Sequence, residues 1–227
     1  MELTNLISYL NEIDTTVFLF FNGIHAPFWD IFMKTFTGTF IWVPLYASLM
    51  YLLLKNFHWK EVVCYTVAIA LAITLSDQLC SSLIRPEVAR LRPANPNSPI
   101  VDLVHIVNGY RGGRYGFPSC HAANSFALLA YVLCTFRNRL LTLFLLAWAV
   151  VNCYTRLYLG VHYPGDLLVG ALIGGGLGAL CSMLGRKAAL YCEPQAPNRG
   201  TVSHTAVPIG IGLITLTGIF IYTLICM

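Results

Sequence analysis

The chain has 227 residues, of which 57% are hydrophobic and only 11% are charged, and its mean hydropathy is +0.68. Soluble domains contain about 45–50% apolar and about 25% charged residues, so this composition excludes an ordinary soluble domain and predicts an integral membrane protein. The net charge of +4 comes without a Lys/Arg tract, which argues against a nucleic-acid partner.

The first 36 residues read as two amphipathic helices. Apolar residues recur at helical spacing from Leu3 to Phe18 with acidic residues between them, and a second such stretch runs from Phe28 to Phe36. Asn22-Gly23 between them is a turn signal. We therefore interpret residues 1–36 as amphipathic helices lying in the membrane interface rather than crossing it.

Six apolar stretches follow, each close to the roughly 20 residues that a bilayer requires. They lie near 38–55, 59–82, 119–136, 139–157, 164–185 and 206–226. We predict an all-α fold in which residues 37–227 form a polytopic bundle of six transmembrane helices. In the fifth stretch, Gly170, Gly174 and Gly178 form a small-residue ladder, which predicts close packing against a neighbouring helix.

The loops after the first, third and fifth stretches carry lysine and arginine. The positive-inside rule places these loops in the cytoplasm, and it places both termini and the second and fourth loops outside. The second loop, 83–118, is the longest break in the apolar pattern, and long irregular loops are often functional. Its apolar segment Ile100 to Val107 fits one face of a short interfacial helix.

Two arginines open this loop. Arg85 and Arg92 are seven residues apart, so a helix would place both on one face. Guanidinium groups grip phosphate oxygens in a bidentate fork, although the two arginines could instead extend to lipid headgroups. Asp77, near the end of the preceding span, is expected to pair with one of them, and a helix-capping role is the alternative. We interpret the other ionisable residues of the loop as solvated charges or as contacts to a substrate headgroup. These residues are Arg90, His105, Arg111 and Arg114.

The third stretch begins with Pro118-Ser119-Cys120-His121, a helix start signal. Backbone amides at a helix N-terminus bind anions, and the helix dipole favours negative charge there. Ser119 adds a hydroxyl group, and His121 in the first turn could donate a proton to a leaving group. The alternative is an ordinary capped helix with an incidental histidine.

The fourth loop follows Thr155-Arg156 and contains His162 and Asp166, four residues apart. An Asp bonded to one imidazole nitrogen fixes the tautomer and leaves the other nitrogen free as a nucleophile. The alternative is a capping Asp with a lipid-facing His. Ionisable groups are costly beside a membrane and usually mark function, so we predict that the three stretches form one phosphate-handling site.

These stretches resemble the three signature motifs of the type 2 phosphatidic acid phosphatase superfamily, Lys-x6-Arg-Pro, Pro-Ser-Gly-His and Ser-Arg-x5-His-x3-Asp. Arg85, Cys120 and Thr155 stand here where the family has Lys, Gly and Ser. The resemblance implies that His162 attacks phosphorus, Asp166 orients it, and His121 protonates the leaving oxygen. The phosphate-binding residues that it implies are Arg85, Arg92, Ser119, Cys120 and Arg156.

The resemblance also implies a phosphorylated lipid substrate and a reaction without a metal or other cofactor. Lipid A phosphatase is the favoured activity, and undecaprenyl-diphosphate and phosphatidylglycerophosphate phosphatases are the alternatives. A lipid phosphotransferase and a non-catalytic membrane transporter are alternatives of other classes. The expected location is the bacterial inner membrane, with the site on the periplasmic face. Nothing in the sequence specifies the oligomeric state.

Overall fold

The computed structural model describes residues 3–194 and 202–227, and within these ranges regular structure is helical throughout, without strands. A π-helical segment, Leu79–Ile84, joins α4 to α5, and a 3-10 turn, Thr39–Trp42, precedes α3. The helices are α1 Leu3–Asn22, α2 Pro27–Phe36, α3 Val43–Asn56, α4 Trp59–Gln78, α5 Arg85–Val88, α6 Cys120–Phe136, α7 Arg139–Tyr158, α8 Pro164–Cys192 and α9 Ala206–Ile225.

A helix occupies each of the six stretches predicted to span the membrane. By length and composition, four described helical segments could cross a bilayer, and these are Trp59–Val88, α7, α8 and α9. A fifth span is possible if α2 and Thr39–Asn56, which meet at an angle of 66°, count as one. Helix α6 is apolar but has only 17 residues. An all-helical bundle with several apolar spans is therefore confirmed.

The glycine ladder of α8 brings this helix against α6. A Cβ atom at Gly170, Gly174 or Gly178 would collide with backbone carbonyl oxygens of α6, so only glycine permits this separation. The predicted close packing is therefore confirmed. It also sets the N-termini of the two helices side by side, because the amide of Ser119 donates to the carbonyl of Asp166 at 3.0 Å.

The basic loops gather at the other end of the bundle. Lys60 lies 3.4 Å from Glu193, which joins the start of α4 to the end of α8. Asn56, at the end of α3, donates to the carbonyl of Ser203 at 3.1 Å. Asn138, after α6, donates to the hydroxyl of Thr205 at 3.3 Å. The loops after α3, α6 and α8 thus share one end, and the motif residues lie at the other.

Helix α1 packs against the end of the bundle that carries the three motifs. It ends at Asn22, as the turn signal predicted. The fully buried Asn22 amide donates to the carbonyls of Leu157 and Tyr158 at 3.1 and 2.8 Å. Phe18 is also fully buried, whereas apolar side chains on other faces of α1, such as Leu10 and Phe20, are exposed.

Two expectations for loop 83–118 are wrong. Arg85 and Arg92 do not share a helix, because α5 ends at Val88 and Ala89 takes a left-handed conformation with φ 48°. The backbone of residues 90–92 pairs instead with residues 114–116, and this tertiary pairing replaces helical bonds. The segment Ile100 to Val107 likewise forms short 3-10 turns rather than one interfacial helix.

Candidate active site

The structure brings the three motifs together at one end of the bundle. Arg85 lies in α5, His121 in the first turn of α6, Arg156 in the last turn of α7, and Asp166 in the first turn of α8. The amide of Ser119, two residues before His121, donates to the carbonyl of Asp166 at 3.0 Å. His121 lines the same cavity as Thr37, whose hydroxyl accepts from Arg156 at 2.8 Å. The two imidazoles therefore lie on the same side of the bundle, in one cluster with the arginines.

His162 and Asp166 form a buried pair. Nδ1 of His162 lies 3.3 Å from Oδ2 of Asp166, and both residues are almost completely buried. Nη1 of Arg92 donates to Nε2 of His162 at 3.3 Å. A guanidinium nitrogen can only donate, so Nε2 carries a lone pair and the proton lies on Nδ1. This is the tautomer in which Nε2 is nucleophilic.

Burial lowers the pKa of His162 well below its ordinary value, and the charges of Arg92, Arg156 and Arg85 lower it further. The imidazole is therefore neutral at neutral pH, as a nucleophile must be.

Gly116 provides the space for this pair. A Cβ atom at Gly116 would lie 2.9 Å from Oδ2 of Asp166 and 3.5 Å from Nδ1 of His162. A side chain at this position would therefore intrude on the pair.

The three motif arginines have no carboxylate partner among the described residues, because none of the ion pairs in 3–194 and 202–227 includes them. Arg85 donates to the carbonyl of Pro118 at 2.9 Å, and Arg156 donates to the hydroxyl of Thr37 at 2.8 Å. The Nε atoms of Arg85 and Arg156 are buried without a partner. Three guanidinium groups thus converge without a counter-ion from the described part of the chain.

This crowding of cations is electrostatically costly. Burial lowers the pKa of Arg92 to about 10, together with the charges of Arg156 and Arg85. Tyr110 accepts a hydrogen bond from Arg156 at 3.1 Å. Burial acts to raise the pKa of Tyr110, but Arg156 and Arg92 bring it below its ordinary value. An anion bound among the arginines would relieve this repulsion.

At the start of α6, Ser119 acts as the N-cap, and its hydroxyl accepts from the amide of Ala122 at 3.4 Å. The Cys120 sulfur lies 2.9 Å from Nη2 of Arg85 and 3.9 Å from the carbonyl of Asp77. It is therefore directed towards α4. Among the described residues, the Asp77 carboxylate forms no ion pair with an arginine, so the expected pairing with Arg85 or Arg92 is wrong; the side-chain amide of Asn124 lies 3.5 Å from it instead.

Arg90 is not the solvated charge that the sequence suggested. Its Nη1 atom lies 2.9 Å from Oδ1 of Asp166 and 2.6 Å from Oδ2 of Asp14 in α1. Its guanidinium stacks 3.9 Å above the ring of Tyr163. Oδ1 of Asp14 also accepts from the amide of Gly165 at 2.7 Å. No spacing rule could have found this contact, since Gly165 and Asp14 are 151 positions apart.

Within the part of the chain that the structure describes, no group of three His, Cys, Asp or Glu residues could hold a metal ion. The positive charge of the site comes from arginine side chains.

Comparison with known proteins identifies the family. The model of the PAP2 superfamily matches residues 61–189, the region that contains all three motifs. The chain belongs to the PAP2 superfamily. Residues 1–60 and 190–227 lie outside that match, and they include α1 with Asp14.

Two curated relatives extend over nearly the whole chain. The lipid A 4'-phosphatase of Bacteroides thetaiotaomicron is 57% identical over 97% of this chain and 99% of its own length. The lipid A 4'-phosphatase of Porphyromonas gingivalis is 31% identical over 97% of this chain and 93% of its own length. The crystal structure of Aquifex aeolicus LpxE matches with a TM-score of 0.54 at 26% identity, over 76% of this chain and 94% of that one.

Proposed function

We propose that this PAP2 protein is a lipid A 4'-phosphatase that works through a phosphohistidine intermediate. The observation that carries the proposal is the convergence of Arg85, Arg92 and Arg156 on the neutral imidazole of His162, with no carboxylate partner for these arginines in 3–194 or 202–227. Such a cluster is suited to a phosphate dianion. The two full-length relatives named lipid A 4'-phosphatases support the choice of lipid.

In the first step, Nε2 of His162 attacks phosphorus, and the bond to the lipid oxygen breaks. Arg92, which now donates to Nε2 at 3.3 Å, turns to a phosphoryl oxygen. The Nδ1 proton stays on the ring, and Asp166 stabilises the imidazolium that forms. His121 gives a proton to the leaving oxygen. In the second step, His121 takes a proton from water, which attacks the phosphohistidine and releases phosphate.

The remaining residues bind the phosphoryl oxygens. Phosphoryl transfer depends chiefly on positioning and on stabilising the charge of the equatorial oxygens, and preorganised donors are often the largest contribution. Arg85, Arg92 and Arg156 supply guanidinium donors. The first turn of α6 supplies backbone amides at Cys120 and His121, and Ser119 orients that turn by capping it.

We also propose a topology. Residues 37–227 form six transmembrane helices, counting α6 and Thr39–Asn56 as spans, and residues 1–36, which include α2, lie in the interface. The basic loops share the end opposite the site, which favours an inner-membrane protein whose site faces the periplasm. Alkaline phosphatase fused after residue 105 should be active and after residue 137 inactive; the reverse pattern would overturn this orientation.

The activity is tested with purified protein in detergent and lipid A phosphorylated at both ends. We expect loss of the 4'-phosphate and release of free phosphate, with His162→Ala as the inactive control. A preference for undecaprenyl diphosphate or phosphatidylglycerophosphate would redirect the substrate assignment. Labelled phosphate appearing on an added acceptor alcohol rather than in water would indicate a phosphotransferase. Equal release by His162→Ala would contradict the nucleophile.

A further inference from the structure

A cavity of about 460 Å³ begins beside His121 and runs between α3, α4, α6 and α7. Its α6 wall is one helix face, from His121 through Asn124 and Leu128 to Phe136. At 1.5 Å per residue that wall is about 22 Å long. A bilayer core of about 30 Å holds two opposed chains, so the cavity is long enough for one acyl chain. We call it the α6 cavity.

The α6 cavity lies on the leaving-group side of the proposed reaction. His121 lines it, whereas His162 does not. In an in-line phosphoryl transfer the leaving oxygen departs opposite the nucleophile, and His121 is the residue assigned to protonate that oxygen. The lipid alcohol must therefore lie beside His121, where the cavity opens.

The part of the cavity nearest His121 is polar and incompletely hydrogen-bonded. The Oδ1 atoms of Asn124 and Asn152 and the Nε1 atom of Trp148 are buried without a partner, and all three residues line the cavity. Asn152 is only 8% exposed, and its Nδ2 atom is already used by Ser125 at 2.8 Å. Buried polar atoms without partners cost free energy, so these atoms indicate a polar ligand.

Deeper in the cavity the lining is apolar. Leu49, Leu53, Leu128, Val132 and Phe136 surround this region. A ligand that fills the cavity and gives its buried polar atoms hydrogen-bond partners therefore has two parts. One is an apolar chain, and the other, close to the phosphate ester, is a set of groups that both donate and accept hydrogen bonds. Hydroxyl and amide groups have this property, whereas a polyprenyl chain has neither.

We infer that the α6 cavity holds the leaving alcohol of the substrate, with one acyl chain against the apolar wall and hydroxyl or amide groups against Asn124 and Asn152. This inference rests on the proposed phosphatase function and makes the two asparagines specificity-determining residues. They would select acylated sugar phosphates over polyprenyl phosphates.

The polar part is tested by Asn152→Leu, which replaces the amide by an apolar group of similar size. The two substrates are a phosphorylated N-acylglucosamine lipid and a polyprenyl phosphate. We expect kcat/KM for the sugar lipid to fall about tenfold, the size of one buried hydrogen bond, while kcat/KM for the polyprenyl phosphate stays unchanged. Val150→Leu, on the exposed face of α7, is the matched control. If Asn152→Leu leaves the ratio of kcat/KM for the sugar lipid to kcat/KM for the polyprenyl phosphate unchanged, the proposed contact between Asn152 and the substrate is wrong. Water would then be the partner of the Asn152 amide.

The apolar part is tested by Leu128→Trp, which fills the cavity below Asn124. The matched control is Leu133→Trp, because Leu133 is 49% exposed on another face of α6 and does not line the cavity. We expect Leu128→Trp to lower kcat/KM at least tenfold for long-chain sugar lipid phosphates and to spare short-chain ones. Equal effects on both chain lengths would overturn the placement of the chain.

A binding experiment separates this inference from the proposed function. The dephosphorylated N-acylglucosamine lipid should raise the Tm of the wild type and of Leu133→Trp, but not that of Leu128→Trp. If the wild type hydrolyses no lipid phosphate and this pattern still holds, only the function is wrong. If phosphate is released and Leu128→Trp behaves as the wild type in both assays, only the cavity assignment is wrong.

Discussion

Nη1 of Arg90 lies 2.6 Å from the carboxylate of Asp14, and the same nitrogen lies 2.9 Å from Asp166. Asp166 in turn holds His162. The N-terminal helix therefore reaches the proposed nucleophile through a chain of charged contacts. Asp14 lies outside the region matched by the family model. The contact by which Asp14 supports Arg90 and Asp166 is therefore additional to the three motifs.

Substitution of Asp14 by Asn should slow the reaction without weakening substrate binding. Arg90 would lose one of its two carboxylates and orient Asp166 less firmly, and misplaced supporting groups cost about tenfold or more in rate. We expect kcat to fall about tenfold with KM within about twofold of the wild type. Glu12→Gln, an exposed position on the same helix, is the control. A change confined to KM would indicate that Asp14 acts on binding instead.

Gly116→Ala should also impair chemistry. The new methyl group would lie 2.9 Å from Oδ2 of Asp166 and would displace the His162 pair, and a displacement of about 1 Å in a catalytic group can cost about 10²-fold in rate. Steady-state kinetics should show this loss in kcat. At Gly113 a Cβ atom meets nothing within 4 Å, so Gly113→Ala is the matched control. Activity close to wild type in Gly116→Ala would contradict the close approach.

The motifs were readable from the sequence because each one places its chemistry at the end of an apolar helix, where local spacing decides geometry. His162 and Asp166 are such a case, since His162 immediately precedes the N-cap of α8 and Asp166 lies in the first turn of that helix. Arg85 and Arg92 are the opposite case. Their spacing suggested a helix, but pairing of residues 90–92 with 114–116 is a tertiary contact that no local pattern contains. The contact between Arg90 and Asp14 was hidden for the same reason.

Arg156→Ala should lower kcat/KM by about 10²–10³-fold, the range found for removal of one preorganised oxyanion donor. Arg156 is 2% exposed and donates to the hydroxyls of Thr37 and Tyr110, so its guanidinium is preorganised before the substrate binds. Arg114→Ala is the control, because Arg114 is also an arginine at the end of the bundle that carries the motifs, but its side chain is exposed. If both variants lost activity equally, general surface charge rather than a specific phosphate contact would explain the effect.

Chelation should leave activity intact. In the proposed mechanism the guanidinium groups of Arg85, Arg92 and Arg156 neutralise the phosphoryl charge that Mg²⁺ neutralises in many phosphoryl-transfer enzymes. We expect the rate of phosphate release to be the same, within error, before and after treatment with EDTA. A loss on chelation that added magnesium restores would contradict this assignment of charge.

The buried, neutral state of His162 predicts how stability depends on pH. Its folded-state pKa lies well below the ordinary value of 6.5, so below about pH 6.5 the unfolded chain binds a proton that the folded chain does not. The contribution of this group to stability is therefore present above pH 6.5 and is lost as the pH falls towards the folded-state pKa. Thermal unfolding in detergent should show a Tm that declines below pH 6.5.

His162→Gln should flatten that decline, because it removes the titrating group. The exposed His25 provides the control, and His25→Gln should retain the wild-type slope. A vanadate or phosphate anion bound among the three arginines would favour the imidazolium form of His162. It should therefore weaken the decline of Tm below pH 6.5 in the wild type but not in His162→Gln. An identical slope in the wild type and His162→Gln would mean that His162 is not held neutral by its surroundings, and the proposed nucleophile would lose its physical basis.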